Sequence, residues 1–160
     1  MKTKLSASQY WLVKSEPSVY SIDDLKKDKV TYWDGVRNFQ ARNFMRDRMK
    51  KGDWVLFYHS NAEPPGVAGI AKVHKEGYPD FTSWDKKDKH FDPKSSEQKP
   101  LWFMVDLEFY SKFKQFVPLE ALKANAKLKD MMVVKPAVRL SVQPVSQEHF
   151  EAVLKMGGQS

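Results

Sequence analysis

The sequence predicts an α+β fold in which a mixed, mostly antiparallel sheet, closed in part into a barrel, carries helices across its openings. Three observations predict it. Strand-like and helix-like segments alternate along the chain without an internal repeat. From Gly52 onward the texture turns β-rich. The length, 160 residues, suits a single domain with a proper core.

Each element has its own signal. Tyr10-Trp11-Leu12-Val13 reads as a first strand, stopped where Pro17 blocks continuation. Ser21 caps a short helix with Asp23 and Asp24 in its first turn. Val30-Thr31-Tyr32-Trp33 is a short strand. Asn38 then caps an amphipathic helix expected to run to about Lys50 and to end at Gly52, with Ala41, Phe44, Met45 and Met49 on one face. Trp54–Tyr58 and Val67–Val73 read as an antiparallel pair joined through the turn residues Pro64-Pro65-Gly66. Residues 78–100 are polar and irregular, the mark of a functional or mobile insert. Leu101–Phe109 and Val138–Val142 are further strands, and Leu119–Asn125 and Gln147–Leu154 short helices.

Composition narrows the class of protein. The 27 basic residues outnumber the 20 acidic ones, and the isoelectric point is about 9.4, a balance that favours polyanions without demanding them. Only five basic residues are Arg, and Arg37, Arg42, Arg46 and Arg48 fall within twelve positions. Clustered Arg suits phosphate because its planar fork bonds two oxygens together. Cysteine is absent, which excludes disulfide scaffolds and thiolate chemistry. With no apolar run of membrane-spanning length and no signal-peptide pattern at the start, a soluble intracellular protein is expected: cytoplasmic, or nuclear in a eukaryote.

The run Trp33-Asp34-Gly35-Val36-Arg37-Asn38 places a flat aromatic, a turn, a guanidinium and an amide within a few residues. Trp stacks on bases, Arg grips phosphate, and Asn both donates and accepts. Each has a plainer role as well. Trp33 suits a core, Asn38 suits a cap, and Arg42 and Arg46 suit a solvated helix face. Enzyme signatures are weak: His59-Ser60 are adjacent without a nucleophile elbow, and His59, His74, His90 and His149 lack metal-ligand spacing. His90, Asp88 and Asp92 form one polar loop able to hold a cation, again a weak signal. No catalytic residue and no metal ligand is assigned.

Tyr10-Trp11-Leu12-Val13-Lys14-Ser15-Glu16-Pro17 and Trp33-Asp34-Gly35-Val36-Arg37-Asn38-Phe39-Gln40-Ala41-Arg42-Asn43 resemble the motifs of EVE-domain proteins, among them the thymocyte nuclear protein branch. The stretches Gly52-Asp53 through Phe57-Tyr58-His59-Ser60, Tyr78-Pro79-Asp80 and Arg139-Leu140-Ser141-Val142-Gln143-Pro144-Val145 continue the likeness in order. It implies one domain over 10–155, flanked by flexible ends at 1–9 and 156–160, with the PUA-like pseudo-barrel fold. It also implies a reader of a modified nucleobase in DNA or RNA, with no cofactor and no settled enzymatic activity. The pocket expected from it comprises Lys14, Ser15, Glu16, Trp33, Asn38, Tyr58, His59, Ser60, Pro79 and Asp80, with Arg37, Arg42, Arg46 and Arg139 on phosphates. Glu16 stands where the related methyladenine readers of RNA carry an amide. A carboxylate accepts from an exocyclic amine but cannot donate, which turns the expectation towards a modified cytosine. A nuclease or base-modifying enzyme, and a protein-interaction module using the same groove, are the competing classes.

Overall fold

The computed structural model of the chain describes residues 8–159. Among them, six strands form one sheet in the order β2-β5-β4-β3-β1-β6. They are β1 (Tyr10–Ser15), β2 (Val30–Tyr32), β3 (Trp54–His59), β4 (Gly66–Pro79), β5 (Phe103–Pro118) and β6 (Val142–Val145). Only the β1–β3 pair is parallel; the other pairings are antiparallel. Four helices join them: α1 (Ile22–Asp28), α2 (Phe39–Asn43), α3 (Leu119–Ala124) and α4 (Gln147–Met156). This is the expected α+β class.

Period-two alternation divides the side chains of β1 and β3 between the two faces of the sheet. Trp11, Val13, Val55 and Phe57 enter one apolar cluster, together with Ile22, Leu25 and Trp33. Tyr10, Leu12, Trp54, Leu56 and Tyr58 enter a second on the opposite face, with Phe113 and Phe150. Both faces are therefore buried. The long β4–β5 ribbon carries several register shifts, which bend it around these clusters.

Several elements differ from expectation, each for a physical reason. The helix capped by Asn38 keeps α-geometry only to Asn43 and continues as a π-helical turn, Phe44–Arg48, closed by Met49 N–H donating to the Phe44 carbonyl at 2.9 Å. Gly77 of β4 lies against this turn; a Cβ there would stand 2.5 Å from the Met45 carbonyl oxygen. The last strand begins at Val142 rather than Val138, because Ala137 takes φ +68° and Gln143 Nε2 donates back to the Leu140 carbonyl. Strand β4 runs well past its apolar stretch, and β5 extends to Pro118 with Phe113 and Val117 still buried.

The polar stretch after β4 is built from hydrogen bonds rather than apolar packing. A 3-10 turn, Phe81–Trp84, opens it. Ser83 Oγ donates to the Asp80 carbonyl at 2.8 Å and lies 2.9 Å from Ser95 Oγ, while Trp102 Nε1 donates to Asp92 at 2.7 Å. Asp80, Thr82, Ser83 and Ser95 are all buried. The expected flexible N-terminal segment lies mostly outside the described residues. At the other end, Gln115 N–H donates to the Gly157 carbonyl and Gln159 N–H to that of Leu154.

Candidate functional site

An open cavity of about 1070 Å³ lies where β1 ends and β2 turns towards α2. Its wall comes from residues 14–16, Val19, Tyr20, residues 31–37, residues 87–90 and Ser141. Ligand pockets are commonly ~300–1,000 Å³, so the space admits a nucleotide-sized group.

The turn 33–37 owes its shape to Asp80. Gly35 takes φ +81°, and a Cβ there would fall 2.5 Å from His90 Nε2, so only glycine fits. Gly35 N–H donates to Asp80 Oδ2 at 2.9 Å, and Arg37 Nη1 donates to the same oxygen at 3.0 Å. Thr82 N–H and its hydroxyl take Oδ1. Burial alone would raise the Asp80 pKa, but the bonds from Thr82, Gly35 and Arg37 outweigh it and hold the carboxyl below its usual range. Arg37 also donates to the His90 carbonyl from Nε (3.2 Å) and Nη2 (2.7 Å), which pins residues 87–90 over the cavity.

Sequence-predicted residues divide into two groups. Lys14, Ser15, Glu16, Trp33 and Arg37 line the cavity together. Trp33 is also a core residue, 9% exposed, with its ring edge-on to Phe57 at 5.5 Å and to Tyr20 at 6.2 Å. Burial, and then Arg139, press the Lys14 pKa down.

The remaining residues have other partners. Asn38 caps α2, its side-chain oxygen accepting from Ala41 N–H at 2.9 Å. Tyr58 falls in the apolar cluster across the sheet from Trp33, as strand alternation requires. His59 Nε2 accepts from Ile22 N–H at 3.1 Å at the start of α1, and burial lowers its pKa. Ser60 N–H bonds the Ser15 carbonyl at 2.9 Å, Pro79 ends β4, and Asp80 is buried beneath the wall. Arg42 donates to the Leu101 carbonyl and to Asn43 Oδ1, Arg46 pairs with Asp47, and Arg139 lines a separate cavity of about 460 Å³ beside Gln40 and Lys135.

The structure adds wall residues that sequence reasoning did not select: Tyr20, Tyr32, Asp34, Lys87, Lys89 and His90. His90 reaches Arg37 from 53 positions along the chain, which no local pattern marks, and brings Lys87 and Lys89 with it, whereas Tyr20, Tyr32 and Asp34 lie in or near the two motifs. Among the described residues, Asp34, Asp88 and His90 each offer a ligand atom within 4.8 Å of the others, the arrangement best able to hold a metal ion. Asp34 has taken the place expected for Asp92, which faces Trp102 instead. His90 Nδ1 lies 3.4 Å from Asp34 and 3.2 Å from Asp88. Burial lifts the Asp34 pKa, with His90 opposing and Asp80 adding to the rise. No helix among the described residues is long and apolar enough to cross a membrane.

The EVE domain pattern matches residues 9–156. Thymocyte nuclear protein 1 of Homo sapiens is 45% identical over 168 residues, which span 93% of this chain and 74% of that protein. The Danio rerio protein of the same name is 47% identical over 165 residues, 91% of this chain and 71% of its own. A hypothetical protein from Leishmania major superimposes with a TM-score of 0.91 at 47% identity, covering 96% of this chain and 97% of that one. The human THYN1 protein, solved in complex with DNA containing 5-methylcytosine, superimposes with a TM-score of 0.87 at 45% identity, covering 96% and 99%. The chain belongs to the EVE-domain family.

Proposed function

We propose that this protein binds nucleic acid and reads a modified nucleobase, a modified cytosine in DNA before a modified base in RNA. The observation that carries the reading is the DNA complex of the human THYN1 protein, whose fold this chain shares at 45% identity. The cavity supports it with matching chemistry. A base swung out of its strand loses stacking, and an aromatic wall returns part of that energy. Trp33 and Tyr20 are the wall, with the more exposed Tyr32 at the mouth. Glu16 and Asp34 supply carboxyl oxygens to accept from an N4 amine, and Ser15 supplies a hydroxyl that turns either way. Lys14, Lys87 and Lys89 bring positive charge to the rim, where the sugar–phosphate chain must pass.

Arg37 serves this site from beneath. Its guanidinium is held by Asp80 and the His90 carbonyl, so it shapes the wall and leaves phosphates to the lysines. Arg42, Arg46 and Arg139 stand outside the cavity, where they remain candidates for phosphates further along the strand.

Labelled single-stranded and duplex oligonucleotides with plain, methylated and hydroxymethylated cytosine, and with methylated adenine, in DNA and RNA, test the reading at two salt concentrations. Tighter binding to one modified cytosine, falling with salt, is expected. Equal salt-sensitive binding to every oligonucleotide would reduce the protein to a basic surface and overturn the reader. Binding that ignores salt would point to a protein partner.

A further inference from the structure

Phe39 opens α2 one residue after its cap, and 54% of it is exposed. A lone exposed ring would mean little. This one belongs to a built stack. Its ring lies on Trp102 with centroids 4.8 Å apart and planes 19° from parallel. Trp102 is itself fixed by the Nε1 bond to Asp92, and it lies under the Arg37 guanidinium at 5.4 Å.

The ring and cation partners of Phe39 gather on one side of it, while over half of the residue is exposed. The Arg42 guanidinium is 4.8 Å from the Phe39 ring and 6.0 Å from Trp102. Phe39 and Trp102 are also 4.8 Å apart, so seen from Phe39 the directions to Arg42 and to Trp102 are less than a right angle apart. Arg42 therefore approaches the Phe39 ring from the Trp102 side and does not sit opposite Trp102 across it. Its hydrogen-bond partners are the neutral oxygens of Leu101 and Asn43, so its charge still attracts a phosphate.

The position relative to the cavity fits a neighbouring nucleotide. Arg37 is part of the cavity wall. Its guanidinium and the Phe39 ring are separated by at most the two stacking distances, 5.4 and 4.8 Å, laid end to end. That span is comparable to roughly three stacked base steps at ~3.4 Å each, and a strand pulled open by base flipping covers it in fewer.

We propose that Phe39 is a second stacking position, taking a nucleobase one or two nucleotides from the base in the cavity, with Arg42 attracting the intervening phosphate. This rests on the nucleic-acid reading above and adds to it a footprint of more than one base. Trp102 backs the ring, so the platform is preorganised and little ordering is lost on binding. Aromatic stacking tolerates every base, so the platform adds affinity without demanding a sequence around the modified base.

The test pairs a protein change with a ligand change. Wild type, Phe39→Ala and Phe39→Trp are titrated with single-stranded DNA carrying one 5-methylcytosine or, in a matched strand, plain cytosine, flanked either by normal nucleotides or by two abasic sites on each side. Wild type should lose about five-fold or more in affinity when the flanks are abasic. Phe39→Ala should bind normal flanks with the same loss and be indifferent to flank removal, while Phe39→Trp behaves as wild type. Because Phe39 is largely exposed, the Ala variant should keep the wild-type circular dichroism spectrum. If Phe39→Ala still distinguishes the flanks as wild type does, the stacking position is wrong although the reader stands. If wild type binds methylated and plain cytosine alike yet Phe39→Ala weakens both, the reader fails and the platform survives. No binding of any oligonucleotide overturns both.

Discussion

Asp80→Asn changes almost no volume, yet it should loosen the whole wall of the cavity. Both carboxylate oxygens are fully used: Oδ2 by Gly35 N–H and Arg37 Nη1, Oδ1 by Thr82 N–H and its hydroxyl. An amide has one accepting oxygen and one donating nitrogen, so either orientation sets two donors against a donor. A hydrogen bond to a charged group contributes about 1.5–3 kcal/mol, and a buried donor left unpaired costs about 1–3 kcal/mol. The Arg37 side chain is 23% exposed, so solvent recovers part of that loss. The expected destabilisation is about 2–4 kcal/mol, which for a domain of this size is a fall in Tm of roughly 5–15 °C. Urea denaturation should show a lowered midpoint with an unchanged slope, and hydrogen exchange should quicken at residues 87–90. The sign with pH is equally definite. The folded-state pKa of Asp80 lies below the ordinary value, so its stabilisation is complete above ~4 and is lost as pH falls through the folded value. Asp80→Asn should lack that part of the acid transition. A loss under ~1 kcal/mol, or an unaltered acid limb, would refute the carboxylate as the organiser of the wall.

Three further outcomes are expected. Gly35→Ala sets a Cβ 2.5 Å from the His90 ring at φ +81°, so stability should fall by about 1–3 kcal/mol in thermal melts, with cavity ligands binding more weakly. His59 is held below its ordinary pKa by burial and accepts from Ile22 N–H, so lowering pH through ~6.5 should destabilise the wild type progressively; His59→Gln, followed by melts at pH 5 and pH 8, should remove most of that dependence. Replacing Lys87 and Lys89 together with Ala should reduce the slope of log affinity against log salt by up to about two for DNA while leaving the melting curve unchanged.

Local chemistry was legible in the sequence, and long-range partnership was not. The Tyr10–Val13 strand, the Ser21 cap with its acids and the Asn38 cap all appear where their residue types demand, because each depends on neighbours a few positions away. Strand β5 reaches Pro118 unforeseen, since in its second half the buried Phe113 and Val117 are separated by the exposed Lys114-Gln115-Phe116, which breaks the period-two pattern. The π-helical turn after α2 depends on close approach to Gly77, which no helical periodicity records. Lys14, Ser15, Glu16 and Trp33, chosen from two separate motifs, line one cavity. Arg37 had the chemistry of a phosphate ligand, but a buried carboxylate forty-three residues away claims it. Residues 87–90 read only as part of a polar insert, and the bonds from Arg37 to the His90 carbonyl are what tie them to the wall.

The central claim, that a modified cytosine enters the cavity beside Trp33, is tested most directly by nuclear magnetic resonance of the indole N–H groups. The chain has five tryptophans, and Trp11, whose Nε1 donates to buried Asp53 and which does not line the cavity, is an internal control. Titration with a 5-methylcytosine oligonucleotide should shift the Trp33 indole, assigned by Trp33→Phe, and leave the Trp11 signal in place, with the same oligonucleotide carrying plain cytosine producing a smaller change. Saturating binding that leaves the Trp33 indole unmoved would put the modified base elsewhere and contradict the account.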